Sequence, residues 1–234
     1  MILPIPIVEN PTVKFWDIFL VFIGALAIQV AVYLLAKSFG LSPFKLLMLA
    51  AGVNDLCWIG GYQALSESRG WHSLRQRFAP VDTRVLLLSA AGAAAPILLI
   101  TGLAATLQWL GINITGTLDR GVDAGDLRQF PLAILLIAVI GPAAEELMFR
   151  GLLLDWLRQK IPAWPSMVLI SLLFASVHSH SFGNGIAGIL ALLDRFLIGM
   201  AASYLTLRFQ SLRPAFVLHA TNNTFAAAVL LHMP

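Results

Sequence analysis

The chain alternates between long apolar runs and short polar segments. Seven runs approach the roughly 20 residues that an α-helix needs to cross a bilayer, and they lie at 15–36, 44–65, 85–110, 130–157, 164–178, 186–207 and 214–233. In lipid the backbone of such a run must satisfy its own hydrogen bonds, which a helix does and a lone strand does not. The pattern predicts an all-α fold: a polytopic transmembrane helical bundle with about seven spanning segments (six to eight), some of them broken or re-entrant.

Composition supports a membrane protein. Of the 234 residues, 59% are hydrophobic and 12% are charged, whereas a soluble domain carries about 25% charged residues. The sequence shows no fixed-period repeat, low-complexity tract or long linker, so residues 1–234 are expected to form a single integral membrane domain. The one cysteine, Cys57, excludes an internal disulfide and a multi-thiolate metal site.

The basic residues predict an orientation. The net charge is +3, and an excess of Lys and Arg marks cytoplasmic loops of membrane proteins. If successive runs cross the membrane in alternate directions, the larger group of basic residues lies on one side: Lys14, Arg69, Arg75, Arg77, Arg84, Arg158, Lys160, Arg208 and Arg213. The smaller group lies on the other side: Lys37, Lys45, Arg120 and Arg128. We therefore expect a multi-pass protein of the cell (inner or plasma) membrane with a cytoplasmic N-terminus, an external C-terminus and an uncleaved first span. No basic patch interleaved with aromatic residues indicates nucleic-acid binding.

Three ionisable side chains interrupt the fourth apolar run, in the stretch GPAAEELMFRG at 141–151. On a helix Glu146 and Arg150 are four residues apart and can pair, whereas Glu145 is rotated by about 100° and lacks that partner. A carboxylate left unpaired in a partly desolvated place suits a general base. The alternative is a helix end whose charged groups extend to the lipid headgroups.

Similar polar positions recur further along the chain. They are Phe174 and His178 at one end of the fifth run, the small-residue run with Phe196, Gly199 and Ser203, and His219 with Asn223 one helical turn later. Each can be explained by hydrogen bonding or close packing between membrane helices. Asn54 and Asp55 in the second run either line a cavity or break the helix. Asp194 and Arg195 are expected to pair with other residues, because adjacent residues do not face each other on a helix.

Taken together, these groups supply the parts of a hydrolase. A carboxylate and a histidine can take a proton from water, and a second histidine and an amide can stabilise an oxyanion. A metal centre is the competing arrangement, since Glu145, His178 and His219 would form a set of two histidines and one carboxylate. The zinc signature of two histidines one turn apart beside a glutamate is absent from the sequence.

The order of these motifs resembles the CPBP family, which comprises the CAAX prenyl endopeptidases and the bacteriocin-processing (Abi) enzymes. The resemblance covers about 130–229, the expected catalytic core, and rests on Glu145-Glu146-x-x-x-Arg150, Phe174-x-x-x-His178, the Phe196/Gly199/Ser203 run and His219-x-x-x-Asn223. Ser203 departs from the usual glycine or alanine, which affects only packing.

The resemblance implies an intramembrane endopeptidase of the glutamate type, a class formerly described as metalloproteases. It implies that Glu145 and His178 activate water, that His219 and Asn223 form the oxyanion site, and that Glu146 and Arg150 form a structural ion pair. No cofactor is expected, with zinc as the alternative. The expected partners are the lipid bilayer and a peptide or protein substrate that is prenylated or otherwise membrane-anchored.

Three other functions stay open: a metal-dependent hydrolase that uses the same residues, a catalytically inert immunity or scaffold member, and a small proton-coupled transporter. The relative depth of the catalytic residues is a further question. His178 would lie further across the membrane than Glu145 unless the helix that carries Glu145 extends to about Gln159 and residues 179–185 form an internal loop.

Overall fold

A computed structural model describes residues 13–114, 127–128, 131–178 and 185–232. Within these residues the secondary structure is helical, without strands: α1 Phe15–Lys37, α2 Pro43–Arg69, α3 Leu74–Arg77, α4 Thr83–Trp109, α5 Leu132–Arg158, α6 Ala163–Ser176, α7 Gly185–Phe209 and α8 Arg213–His232. Each predicted apolar run coincides with one helix, and the short α3 lies in a connection. The predicted all-α membrane bundle is confirmed.

The helices differ in how well they suit a bilayer. Five of them, α1, α2, α4, α5 and α7, are long and apolar enough to cross a membrane by length and composition. Helix α6 is apolar but has only 14 residues. Helix α8 has 20 residues, with His219, Asn222 and Asn223 near its middle. The two helices that are less suited to span are thus ones that carry motif residues.

Helix α5 is the central element of the bundle. Half of its most apolar 18-residue window is buried, against 17% for α1 and α4. Two π-helical turns, Leu136–Ile140 and Phe149–Leu153, flank its α-helical segment Gly141–Met148. The sequence predicted a plain helix here. Each π turn widens the helix locally, a distortion that is frequent at functional sites.

The predicted basic group of residues meets at one end of the bundle, called the basic end below. Asp17 at the start of α1 pairs with Arg69 at the end of α2, with 2.8 Å between the charged atoms. Arg77 of α3 pairs with Asp155 near the end of α5. The backbone carbonyl of Arg77 accepts a hydrogen bond from the Leu212 amide at 2.8 Å. The helices therefore alternate in direction, with α1 starting and α2, α5 and α7 ending at this end.

The buried Arg77 remains charged at the basic end. Burial lowers the pKa of Arg77, but the Asp155 carboxylate and the Tyr62 hydroxyl raise it, so that the pKa lies above its ordinary value. Arg77 also donates to the Tyr62 hydroxyl at 3.2 Å. At the opposite end of the bundle, Arg128 donates to the Leu231 carbonyl of α8 at 2.6 Å. Arg120, of the smaller basic group, lies outside the described residues.

The depths of Glu145 and His178 follow from the short α6. Glu145 lies 13 residues before Arg158, where α5 ends, and His178 lies 15 residues after Ala163, where α6 begins. At about 1.5 Å per residue both lie roughly 20 Å from the basic end. Residues 179–184 of the expected internal loop lie outside the described residues, and Gly185 begins α7. Asn54 and Asp55 do not break α2, which continues through them.

Candidate active site

The Glu146–Arg150 ion pair lies at the centre of the bundle. Both side chains are fully buried, and Arg150 Nη1 donates to Glu146 Oε1 at 3.0 Å. Arg150 also donates to the Gly199 carbonyl at 3.1 Å and to the Ser203 hydroxyl at 3.4 Å. These two residues of α7 therefore hold the arginine, a role that the sequence did not indicate for the small-residue run.

His219 of α8 lies between the two glutamates. Its Nδ1 is 2.9 Å from Glu146 Oε1, and its Nε2 is 3.8 Å from Glu145 Oε2. Because a carboxylate accepts hydrogen bonds, Nδ1 carries a proton in this arrangement. The side chain is 3% exposed, so the fold aligns the imidazole between groups that are more than 70 residues away in sequence.

Glu145 is the more accessible of the two glutamates. Its side chain is 24% exposed, against none for Glu146. The Oε2 atom of Glu145 is buried and accepts no hydrogen bond from any residue that the structure describes. A buried carboxylate oxygen without a donor has a strong capacity to bind a water molecule or a substrate N–H group.

Phe174 supports several of the polar side chains. Its ring is fully buried, lies 4.6 Å from the Arg150 guanidinium carbon and makes an edge contact with His219 at 5.4 Å between ring centroids. Its carbonyl oxygen is 2.9 Å from His178 Nδ1. Since a carbonyl only accepts, Nδ1 of His178 carries a proton in this hydrogen bond.

Asn223 binds the distorted part of α5. Its side-chain amide donates to the Ile137 carbonyl in the first π turn at 3.0 Å. Asn223 follows His219 by one turn on α8, the spacing that predicted a shared face, and the structure turns this side chain toward α5. Its N–H group is directed at the α5 backbone. The neighbouring Asn222 is buried, at 4% exposure.

Three predicted groups come together in this structure. Glu145 lies within electrostatic range of His178 and close to His219. Asp55 of α2 is also within electrostatic range of Glu145, which the sequence did not reveal, because only the packing of α2 against α5 brings them together. Among the described residues no cluster of three His, Cys, Asp or Glu side chains has the arrangement of a metal site.

One expectation about the ion pairs was wrong. Asp194 and Arg195 were expected to find separate partners, but Arg195 Nη1 lies 2.7 Å from Asp194 Oδ2. The long, flexible arginine side chain bends back to its neighbour at the partly exposed surface of α7, a contact that helix geometry alone does not favour.

Comparisons with known proteins agree with the motif order. Residues 127–225 match the model of the Rce1-like family, the type II CAAX prenyl endopeptidases. A 24.3 kDa protein of Escherichia coli, described as uncharacterized, is 32% identical over 95 residues, which are 40% of this chain and 42% of that protein. The chain therefore matches less than half the length of this relative. No solved structure matches the chain.

The family match spans the stretch 141–151, the Phe174/His178 motif and the His219/Asn223 motif. The same residues make the contacts around Glu145 and Arg150 that are described above. Residues 127–225 of this chain are thus similar to the type II CAAX prenyl endopeptidases, the family that the motif order indicated.

Proposed function

We propose that this protein is an intramembrane endopeptidase of the glutamate type, which hydrolyses a peptide bond with water activated by Glu145 and His178. The observation that carries the proposal is the Glu145 carboxylate. One of its oxygens is buried without a hydrogen-bond donor among the described residues, beside His219 at 3.8 Å and within range of His178. A base held in a partly desolvated place beside two imidazoles is what amide hydrolysis needs.

The first step is the attack of water. A water molecule held by Glu145 Oε2 and by the lone pair of His178 Nε2 loses a proton to the glutamate as its oxygen attacks the carbonyl carbon of the substrate. The hydrogen bond of His178 Nδ1 to the Phe174 carbonyl sets the tautomer that this role requires. The protonated Glu145 then returns the proton to the leaving nitrogen as the C–N bond breaks.

The second requirement is stabilisation of the oxyanion. His219 donates through Nδ1 to Glu146, so it can stabilise an oxyanion only when Nε2 carries a proton as well. The carboxylates of Glu145 and Glu146 would balance the charge of that imidazolium. Asn223 has a second side-chain N–H besides the one bound to Ile137, and this N–H is the proposed second donor. A preorganised donor of this kind contributes about 10²–10³-fold to the rate.

The proposed substrate enters from the bilayer. The site lies roughly 20 Å along the helices from the basic end by the rise of the helix. A membrane-associated peptide, or a protein with a prenylated or lipid-embedded terminus, can reach a site at that depth without leaving the membrane. The basic end supports a cytoplasmic N-terminus, because Lys and Arg are retained on the cytoplasmic side.

Peptide cleavage by the purified protein tests the proposal. Fluorogenic peptides, prenylated and plain, are offered to the wild type, Glu145→Gln, His178→Ala and Glu67→Gln, each with and without a strong zinc chelator. We expect Glu145→Gln and His178→Ala to lower the rate by about 10²–10⁴-fold, the usual contribution of a general base. Glu67→Gln is the matched control, because Glu67 is an exposed carboxylate that accepts a hydrogen bond from Gln63 of its own helix.

The outcomes separate the alternatives. Cleavage that is lost in both variants and unaffected by the chelator supports the glutamate mechanism. Cleavage that is lost on chelation and restored by zinc would make Glu145, His178 and His219 metal ligands. If correctly folded wild-type protein cleaves none of the peptides, the result favours an inert immunity or scaffold role.

A further inference from the structure

A second carboxylate, Asp55, lies beside the proposed site and has no part in the mechanism above. It is in the middle of α2, a helix apolar enough to span the membrane, and it is only partly exposed. The adjacent Asn54 side chain is its hydrogen-bond partner. An ionisable side chain in such a helix is costly to keep unless it has a function or a partner.

The packing of α2 on α5 places Asp55 next to the helical turn that carries Glu145. Gly141 precedes Glu145 by one turn and lies on the same face of α5. A Cβ atom at Gly141 would lie 3.5 Å from Asp55 Oδ2. The approach is close because glycines are present on both helices, and a Cβ at Gly52 of α2 would lie 3.1 Å from a methyl group of Leu136.

The charged group that acts on Asp55 from α5 is also a carboxylate. From α5 it faces Glu145, with which it interacts electrostatically. The nearest positive group of α5, Arg150, is already held by Glu146, Gly199 and Ser203. The π turn at Leu136–Ile140 contributes only apolar side chains. Two carboxylates that approach each other in a poorly solvated place do not readily ionise together.

We propose that Asp55 is a positioning residue that shares one proton with Glu145, an inference that rests on the proposed hydrolase function. The proton stays with Asp55 while Glu145 acts as the base. The Asp55 carboxyl group donates to one oxygen of Glu145 and directs the other oxygen toward the attacking water. Water gives its proton to Glu145, Glu145 passes it to the leaving nitrogen, and the Asp55 proton is not consumed.

Infrared spectroscopy and kinetics of the purified full-length protein test this inference together. In the wild type at neutral pH we expect the C=O band of a protonated carboxyl group, and we expect Asp55→Asn to remove it. The same variant should lower kcat by about 10–100-fold, the usual effect of removing a residue that orients an active-site group, and leave KM unchanged. Asp55→Glu should restore part of kcat.

The controls distinguish positioning from folding. Glu67→Gln, an exposed carboxylate variant on the same helix, should change neither the band nor kcat, and thermal unfolding of Asp55→Asn should match that of the wild type. A band that persists in Asp55→Asn, or a full kcat in that variant, overturns the inference. A wild type that shows an Asp55-dependent band but cleaves no peptide upholds the shared proton and contradicts the proposed function.

Discussion

Arg150 illustrates how a full charge is accommodated in the interior. Its guanidinium reaches a carboxylate, a carbonyl and a hydroxyl and stacks on the Phe174 ring. Such a buried pair adds little net stability, since the desolvation of both ions offsets their attraction. Its value lies in orientation, because Glu146 uses the same oxygen to hold His219. The ion pair thereby sets the position of a proposed oxyanion donor.

At the residue scale we predict that Glu146→Gln destabilises the fold strongly. The variant leaves Arg150 charged and uncompensated in a fully buried position, which costs about 3–5 kcal/mol. The free energy of unfolding in mixed micelles measures the loss. The double variant Glu146→Gln/Arg150→Met removes the arginine charge as well. It should recover most of the lost free energy of unfolding but not the peptidase activity. A single variant as stable as the wild type would show that Arg150 is solvated.

At the scale of the elements, close helix contacts place the site residues. Helix α7 approaches α6 at Gly199, where an added Cβ would lie 3.0 Å from the Cβ and 3.1 Å from the Cα of Ser171. Neither contact atom is the end of a flexible side chain, so the two helices would have to separate. The Gly199 carbonyl binds Arg150, and any such separation would also move the ion pair.

We therefore predict that Gly199→Ala destabilises the protein by about 1–3 kcal/mol, the usual cost of overpacking. Gly102→Ala on α4 is the matched control, because no described residue beyond the local helix backbone has an atom within 4 Å of the position of its Cβ, and alanine favours a helix. Thermal unfolding of both variants in detergent checks this expectation. Equal melting temperatures for Gly199→Ala and the wild type would mean that α6 and α7 are not closely packed at this point.

At the scale of the whole molecule, the basic end predicts the orientation in the membrane. Two single-cysteine variants, Gln159→Cys and Ser38→Cys, are made in a Cys57→Ser background. Position 159 lies in the turn after α5 at the basic end, position 38 lies after α1 at the opposite end, and both positions are exposed. A membrane-impermeant thiol reagent should label Ser38→Cys on intact cells and Gln159→Cys only after permeabilisation, since basic loops stay in the cytoplasm. The Cys57→Ser parent is the unlabelled control, and the reverse pattern would contradict a cytoplasmic N-terminus.

The features that depend on local spacing could be predicted from the sequence alone. Apolar runs of membrane-spanning length predicted the helices, because a helix satisfies its own backbone wherever it lies in lipid. The four-residue spacing of Glu146 and Arg150 predicted their pairing for the same reason. Motif order pointed to the family that the match over residues 127–225 supports.

Contacts between groups that are distant in sequence depend on how the helices pack against one another. The approach of Asp55 to Gly141 depends on the packing of α2 against α5, and the contact of His219 with Glu146 depends on that of α8 against α5. The π turns on either side of Gly141–Met148 have no local signal in the sequence, and the bond of Asn223 to Ile137 joins α8 to the first of them. Contacts across helices depend on the relative rotation and depth of each pair, which the pattern along a single helix does not contain.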